Sequence, residues 1–178
     1  MKKMLAGFVL SGLVLFAPVH ARELQVYKGS DTPPLALKDL NGKTHDLKQY
    51  RGKIVLINFW ATWCPPCRAE MPSMQRLKDK MAGKPFVILA VDMGETEAEV
   101  KAYIRQIKTD FTVLLDKDGR ALKTWKVFAF PTSYVVDAQG KIRYGLYGAS
   151  EWDAADKIQK ITEMLPTATS AKPSPVTP

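Results

Sequence analysis

The sequence predicts an α/β fold in which a mixed central β-sheet is flanked by helices on both faces. Two apolar runs rich in β-branched residues, at positions 53–60 and 86–91, are typical of central strands that are buried on both sides. Segments with the apolar spacing of helices alternate with these strands. With 178 residues and 46% hydrophobic content, the chain can bury a single core of ordinary size.

The domain is predicted to open with a β-hairpin. Residues 35–40 and 43–47 are its expected strands, and they flank Asn41 and Gly42. An Asn-Gly pair favours a two-residue turn because both turn positions must tolerate positive φ. The first central strand, 53–60, follows this hairpin.

The middle of the chain is predicted to alternate helices and strands. The spacing of four apolar side chains predicts a helix over residues 65–81. Pro72 lies inside this helix and is expected to kink it, because proline removes a backbone donor. After the strand at 86–91, Thr96 and Glu99 have the spacing of a capping box that begins a second helix.

The last third of the chain predicts a short helix between strands, then a hairpin and a final helix. In order, we expect a strand at 111–115, a turn at 116–119, a short helix at 120–125, strands at 132–137 and 141–147, and a helix at 151–165. Ser150 is the expected N-cap of the final helix.

The first 21 residues are organised differently from the rest. Lys2 and Lys3 precede an uncharged apolar run over 4–16, and the segment ends in the small residue Ala21. This pattern predicts a secretory signal peptide that is cleaved after Ala21. The alternative is an uncleaved membrane anchor over 4–21. Either way, we expect a periplasmic or otherwise extracytoplasmic location.

The remaining boundaries follow from composition. Residues 22–165 form the expected domain, and residues 166–178 are rich in Pro, Thr, Ser and Ala, which predicts a disordered tail. The net charge of +8 is spread along the chain without a block of like charges or a basic stripe. We therefore expect no nucleic-acid binding, and the charge favours solubility or attraction to acidic partners and anionic membrane surfaces.

The only two cysteines, Cys64 and Cys67, lie where the strand that ends at Trp60 gives way to a helix. A thiol at a helix N-terminus faces free N–H groups and the positive end of the helix dipole, which stabilise the thiolate. Cys64 is therefore the expected nucleophile, and Cys67, one turn further on, is the expected resolving thiol. Pro65 and Pro66 stiffen the loop between them and lack backbone donors.

Other roles for the cysteine pair are weaker. A structural disulfide between them would close too small a ring to stabilise the fold much. A zinc site needs four ligands, and besides the two thiols the chain offers only His20, within the predicted signal peptide, and His45. Two thiolates can hold copper(I), so metal transfer stays open. We expect redox chemistry, no metal site and no cofactor.

The run IVLINFWATWCPPC at 54–67, with RAEMP after it and FPTSYVVDAQGKI much later, resembles the thioredoxin superfamily, specifically its exported TlpA/ResA-like branch. The resemblance covers residues 34–165. It implies a thioredoxin fold with an N-terminal β-hairpin and a central insertion over 94–115. It also implies that Pro131 is a cis-proline facing the cysteines, which leaves the Phe130 backbone free to pair with an extended substrate segment. The residues expected to contact substrate are Trp63, Pro65, Pro66, Phe130 and Pro131.

Two further positions differ from cytoplasmic thioredoxin, which has a buried Asp beneath its active site. This chain has Asn58 there, which cannot exchange a proton. The TlpA/ResA-like pattern has a glutamate three residues after the second cysteine, and Glu70 matches it. A carboxylate there would raise the thiol pKa values by charge repulsion and could relay the proton of Cys67. Alternatively, Glu70 is only a favourable anion in the first turn of its helix.

The expected reaction is thiol–disulfide exchange through the Cys64–Cys67 couple. The resemblance favours reduction of a disulfide-containing client protein, with a membrane thiol protein as electron donor, in cytochrome c maturation or at copper-site thiols. The alternatives are a disulfide-forming oxidase of the same fold and a copper-binding chaperone without turnover. A peroxidase is disfavoured because peroxiredoxins have Thr three residues before the cysteine, where this chain has Ala61.

Overall fold

The computed structural model describes residues 22–29 and 31–166. The predicted signal peptide and all but the first residue of the predicted tail lie outside this part of the chain. The strands are β1 (Gln25–Val26), β2 (Ala36–Asp39), β3 (Thr44–Asp46), β4 (Ile54–Trp60), β5 (Phe86–Met93), β6 (Thr112–Asp116), β7 (Thr132–Val136) and β8 (Ile142–Tyr147). The helices are α1 (Pro65–Lys80), α2 (Glu97–Ile107), α3 (Arg120–Thr124) and α4 (Ala155–Glu163), and Leu47–Tyr50 forms a 3-10 turn.

The strands form one mixed sheet in the order β1-β8-β7-β4-β5-β6-β2-β3. β4 lies inside the sheet, parallel to β5 and antiparallel to β7, and all seven of its residues are buried. Its side chains alternate between two cores, because successive strand residues point to opposite faces. One core receives Ile54, Leu56 and Trp60, with side chains of α1, α2 and α4. The other receives Val55, Ile57 and Phe59, with side chains of α3.

The predicted α/β architecture is therefore confirmed, and most element boundaries agree within two residues. The segment 94–115 contributes α2 and most of β6, which extends the sheet to the N-terminal hairpin through antiparallel pairing with β2. The capping box at Thr96 and Glu99 is present. Pro72 lies within α1 on its exposed side. In the described part of the chain, no helix is long and apolar enough to cross a membrane.

β2 and β3 form the predicted hairpin, but its loop has three residues rather than two. The Asp39 N–H donates to the Lys43 carbonyl at 2.8 Å, which leaves residues 40–42 as the loop. Gly42 has a φ of 82°, whereas Asn41 does not have a positive φ. The Asp39 carboxylate accepts from the N–H groups of Asn41 and Lys43, at 2.8 and 3.0 Å. These contacts stabilise the longer turn, so the predicted two-residue turn is wrong.

The last helix begins later than predicted. α4 has Ala154 at its N-cap, not Ser150. The Ser150 N–H instead donates to a carboxylate oxygen of Glu70 at 3.1 Å, and its hydroxyl donates to the Arg22 carbonyl at 3.0 Å. The prediction that Ser150 caps a helix over 151–165 is therefore wrong, because both polar groups of Ser150 have partners elsewhere in the fold.

Candidate active site

Cys64 and Cys67 form a disulfide at the start of α1, where the buried strand β4 ends. Cys64 is the N-cap residue of α1, and its sulfur accepts the backbone N–H of Cys67 at 3.3 Å. Pro65 and Pro66 occupy the first two helical positions and have no N–H to offer. The first available backbone donor of the helix thus points at the Cys64 sulfur, where it favours a thiolate.

The two sulfurs differ in exposure. Cys64 is 4% exposed and Cys67 is fully buried, so an incoming thiol or disulfide reaches Cys64 first. Pro65 and Pro66 are both exposed beside the disulfide. Of the two sulfurs, that of Cys64 is therefore the more accessible to a partner.

An aromatic surface lies beside the cysteine pair. Trp63 is 63% exposed, and its ring meets that of Phe130 edge to face, with the centroids 5.8 Å apart. The Phe130–Pro131 peptide bond is cis, as the resemblance implies. Phe128 is 93% exposed on the same loop. Sequence reasoning singled out Trp63, Phe130 and Pro131 but missed Phe128, which carries no motif.

Glu70 lies one turn after Cys67 on the buried side of α1 and is 2% exposed. Its carboxylate accepts three hydrogen bonds, from Asn58 Nδ2 at 2.8 Å, Trp152 Nε1 at 3.0 Å and the Ser150 N–H at 3.1 Å. Burial raises the pKa of Glu70 to about 7, although the three donors oppose this shift. Glu70 can therefore gain or lose a proton near neutral pH.

The alternative role for Glu70, as a first-turn surface anion, does not fit the structure. Glu70 is the sixth residue of α1 and is buried, so it lies beyond the turn where the helix dipole acts. Asn58 is buried on β4 below the helix and donates to both Glu70 and Ser133. Asn58 thus holds the Glu70 carboxyl group in place, and its own amide cannot exchange a proton.

The residues that surround Glu70 were only partly predictable. Asn58 and Glu70 follow from the motif, but Ser150 and Trp152 approach from the segment before α4. Trp152 is fully buried, and its N–H donates to Ser73 Oγ at 2.9 Å. Trp152 is a large aromatic residue in the predicted last helix that belongs to no motif, and it is the one sequence signal that could have indicated a contact with Glu70.

Within the described residues, no group of three or more His, Cys, Asp or Glu side chains is arranged to hold a metal ion. His45 lies in the N-terminal hairpin, where its Nε2 is 2.9 Å from Asp39 Oδ2 and its Nδ1 contacts the Tyr50 hydroxyl. The reactive groups at this site are the two cysteine sulfurs and the buried Glu70 carboxyl group.

Comparison with known proteins supports this chemistry. The sequence profile of the AhpC/TSA family matches residues 29–145. The thiol–disulfide oxidoreductase ResA of Bacillus cereus is 37% identical over 158 residues, which is 86% of this chain and 91% of that protein.

Two solved structures from Chlorobium tepidum have the same fold. A putative thiol:disulfide interchange protein DsbE matches with a TM-score of 0.72 and 30% identity, over 80% of this chain and all of that one. A thiol:disulfide interchange protein of the thioredoxin family matches with a TM-score of 0.67 and 26% identity, over 79% of this chain and 99% of that one. The predicted thioredoxin fold is confirmed. The chain belongs to the AhpC/TSA family, as a thiol–disulfide oxidoreductase of the ResA and DsbE type whose redox couple is Cys64 and Cys67.

Proposed function

We propose that this oxidoreductase reduces disulfides in partner proteins outside the cytoplasm. The observation that carries the proposal is the buried Glu70 carboxyl group, one turn from Cys67. When ionised, it disfavours a second negative charge nearby and so raises the thiol pKa values. A dithiol whose thiolates are not strongly stabilised gives up its electrons more readily, which is the property of a reductant.

In the first step, the Cys64 thiolate attacks one sulfur of a client disulfide. A new S–S bond joins Cys64 to the client as the client's own disulfide breaks, and the released client sulfur takes up a proton. The Cys67 N–H, which lies 3.3 Å from the Cys64 sulfur in the oxidised form, is placed to stabilise the attacking thiolate.

In the second step, Cys67 resolves the mixed disulfide. Glu70 accepts the Cys67 proton, and the resulting thiolate attacks the Cys64 sulfur and breaks its bond to the client. The released client sulfur takes up a proton, and Glu70 returns its own proton to the solvent. The client gains two electrons and two protons, and the enzyme is left with the Cys64–Cys67 disulfide. A membrane thiol protein then returns the enzyme to the dithiol form by the same exchange in reverse.

We assign client contact to the exposed residues around the disulfide. Trp63 and Phe128 present large apolar surfaces, and Phe130 packs against Trp63 from the loop before β7. An extended client segment could lie along this loop and pair with the Phe130 backbone beside Pro131. The remaining members of this surface are Pro65 and Pro66.

We also propose the cellular setting. Residues 1–21 would direct the chain out of the cytoplasm, either as a cleaved signal peptide or as a membrane tether, and residues 22–165 would form the working domain. The clients would be disulfide-containing apoproteins in cytochrome c maturation or copper-site thiols.

The first test is the reduction potential of the Cys64–Cys67 couple in the chain from Arg22 onward, equilibrated with glutathione and dithiothreitol buffers. A value at or below about −250 mV, in the range of thioredoxin, is expected for a reductase. A value near about −120 mV would make disulfide formation the better account. Stoichiometric copper(I) binding with negligible turnover of a model disulfide would instead favour the chaperone.

A further inference from the structure

A second buried carboxyl group lies on the cysteine side of the sheet, and the mechanism above does not use it. Asp92, near the end of β5, is fully buried. Its register partner on β4 is Trp60. Asp92 points to the same face of β5 as Ile88 and Ala90, which belong to the same core cluster as the cysteine pair.

Asp92 has no donor of good geometry among the described residues, for neither of its carboxylate oxygens is hydrogen-bonded there. Burial, followed by interaction with the Glu95 side chain, raises the pKa of Asp92 to about 8, while the N–H groups of Met93 and Glu95 oppose this only partly. An unpaired buried carboxylate is costly, and two carboxyl groups that meet in such a place reduce the cost by sharing one proton.

Glu95 links Asp92 to the loop that precedes Cys64. Its Oε2 accepts the backbone N–H of Thr62 at 2.6 Å, and its Oε1 accepts the Thr62 hydroxyl. Thr62 lies two residues before Cys64, between β4 and α1. Both Glu95 oxygens thus accept hydrogen bonds from Thr62, which leaves Asp92 as the carboxyl group that can hold a proton and donate it to its neighbour.

We propose that Asp92 and Glu95 form a proton-sharing carboxyl pair that positions the loop before Cys64 for disulfide exchange. Both are positioning residues, because they act on Cys64 through Thr62 and do not touch the reacting sulfurs. The effect on exchange rate rests on the proposed function above, whereas the proton sharing and the loop contact do not depend on it.

The pair makes the loop sensitive to alkaline pH. Loss of the shared proton leaves two adjacent anions, whose repulsion drives Glu95 away from Thr62 and loosens the loop. The neighbours of Asp92 in the register on β4 and β6, Trp60 and Leu115, carry no charge. The other titratable groups on this face are Glu70 and Arg68 of α1, Tyr103 of α2, Lys157 of α4, and the Cys64 and Cys67 thiols of the reduced form.

The test uses the oxidised protein, in which neither cysteine titrates. Carboxyl ¹³C NMR would follow Asp92 and Glu95 between pH 4 and 10, and amide NMR would follow Thr62 in the same samples. We expect the Asp92 carbon to titrate far above the ordinary range of an aspartate, and the Thr62 amide to shift with the same midpoint. In Asp92→Asn, which keeps a donor but cannot ionise, the Thr62 transition should be lost.

Asp116→Asn is the matched control. Asp116 is also fully buried at the end of a neighbouring strand, but its carboxylate accepts the N–H groups of Ala121 and Leu122 and not of the active-site loop. The Thr62 transition should persist in this variant. If Asp92→Asn does not fold, Glu95→Gln tests the same contact. If neither variant folds, the titration of the wild-type protein decides alone. The proposal is overturned if the Thr62 amide resonance does not shift as Asp92 ionises, or if Asp92 titrates in the ordinary acidic range.

A second readout separates this proposal from the proposed function. The rate at which iodoacetamide alkylates reduced Cys64 would be compared in Asp92→Asn and the wild type. At pH 6.5 the two rates should agree within about two-fold. Above pH 9 the variant should react several-fold faster, because only the wild type has lost the shared proton. Equal rates at every pH contradict the positioning role. If the NMR transitions appear but the wild type reduces no client disulfide, the carboxyl pair stands and the proposed function fails.

Discussion

At the residue scale, Glu70 is the group on which the proposed proton transfer depends. Replacing it with Gln keeps the shape of the side chain but removes the base one turn from Cys67. We expect the resolving step to slow by about 10²-fold in Glu70→Gln, the lower end of the effect of a general base. Stopped-flow mixing with a client disulfide, followed by quenching and mass spectrometry, would show the Cys64 mixed disulfide accumulating.

The pH dependence distinguishes this role from a structural one. Because Glu70 must be ionised to accept a proton, the wild-type resolving rate should rise with an apparent pKa near 7. That rise should be absent in Glu70→Gln and unchanged in Glu163→Gln, a control on the surface of α4. A mixed disulfide that resolves at the wild-type rate in Glu70→Gln would show that another group takes the proton.

At the element scale, the segment between β8 and α4 completes the Glu70 site. Trp152 fills the core and donates its indole N–H to Glu70. Trp152→Phe keeps most of the packing but removes this donor, so the ionised form of Glu70 loses a charge-assisted hydrogen bond of about 1.5 kcal/mol or more. We expect the Glu70 midpoint, measured by carboxyl ¹³C NMR of the oxidised protein, to move upward.

Trp125→Phe is the matched control for Trp152→Phe. Trp125 lies in the opposite core, and its indole N–H donates to the Pro34 carbonyl at 3.1 Å. This variant loses an equivalent donor without touching Glu70, so its midpoint should match the wild type. Equal midpoints in all three proteins would mean that the indole contributes only packing.

Elements with a local sequence signal were predictable, whereas features that depend on distant contacts were not. β4 and the α2 capping box were predictable because their signals are local: a continuous apolar run and a four-residue pattern. The start of α4 was not, because it depends on the contact between Ser150 and Glu70, which are 80 residues apart. Cys64 and Cys67 are likewise readable from a motif. The Glu95 contact with Thr62, which spans 33 residues, has no local signal.

At the scale of the whole molecule, buried and surface carboxyl groups act on stability in opposite pH ranges. Surface carboxylates such as Asp153 and Asp110 have pKa values lowered by their partners Arg76 and Lys78. Such groups stabilise the fold above their unfolded pKa values, and this contribution is lost as the pH falls through their folded values. Because these ion pairs lie at the surface and solvent screens them, each contributes little.

The two buried carboxyl groups, Glu70 and Asp92, change the free energy of unfolding with pH in the opposite direction. Burial raises the pKa of Glu70 from 4.5 to about 7 and that of Asp92 from 3.8 to about 8. Protonation therefore stabilises the folded state, fully below the unfolded values, and the stabilisation is lost as the pH rises through the folded values. The shift at Glu70 alone corresponds to about 3 kcal/mol between pH 4.5 and 7.

We therefore expect the oxidised protein to be most stable on the acidic side of neutrality and to lose free energy of unfolding steadily from about pH 5 to pH 8. Urea denaturation across this range would measure the loss. Glu70→Gln should reduce the slope between pH 4.5 and about 7, whereas Asp92→Asn should reduce it from pH 3.8 to about 8, because each carboxyl group lowers the free energy of unfolding between its unfolded and its folded pKa. A free energy of unfolding that instead rises through neutral pH would mean that both carboxylates are compensated in the fold, and that neither holds a proton when the enzyme works.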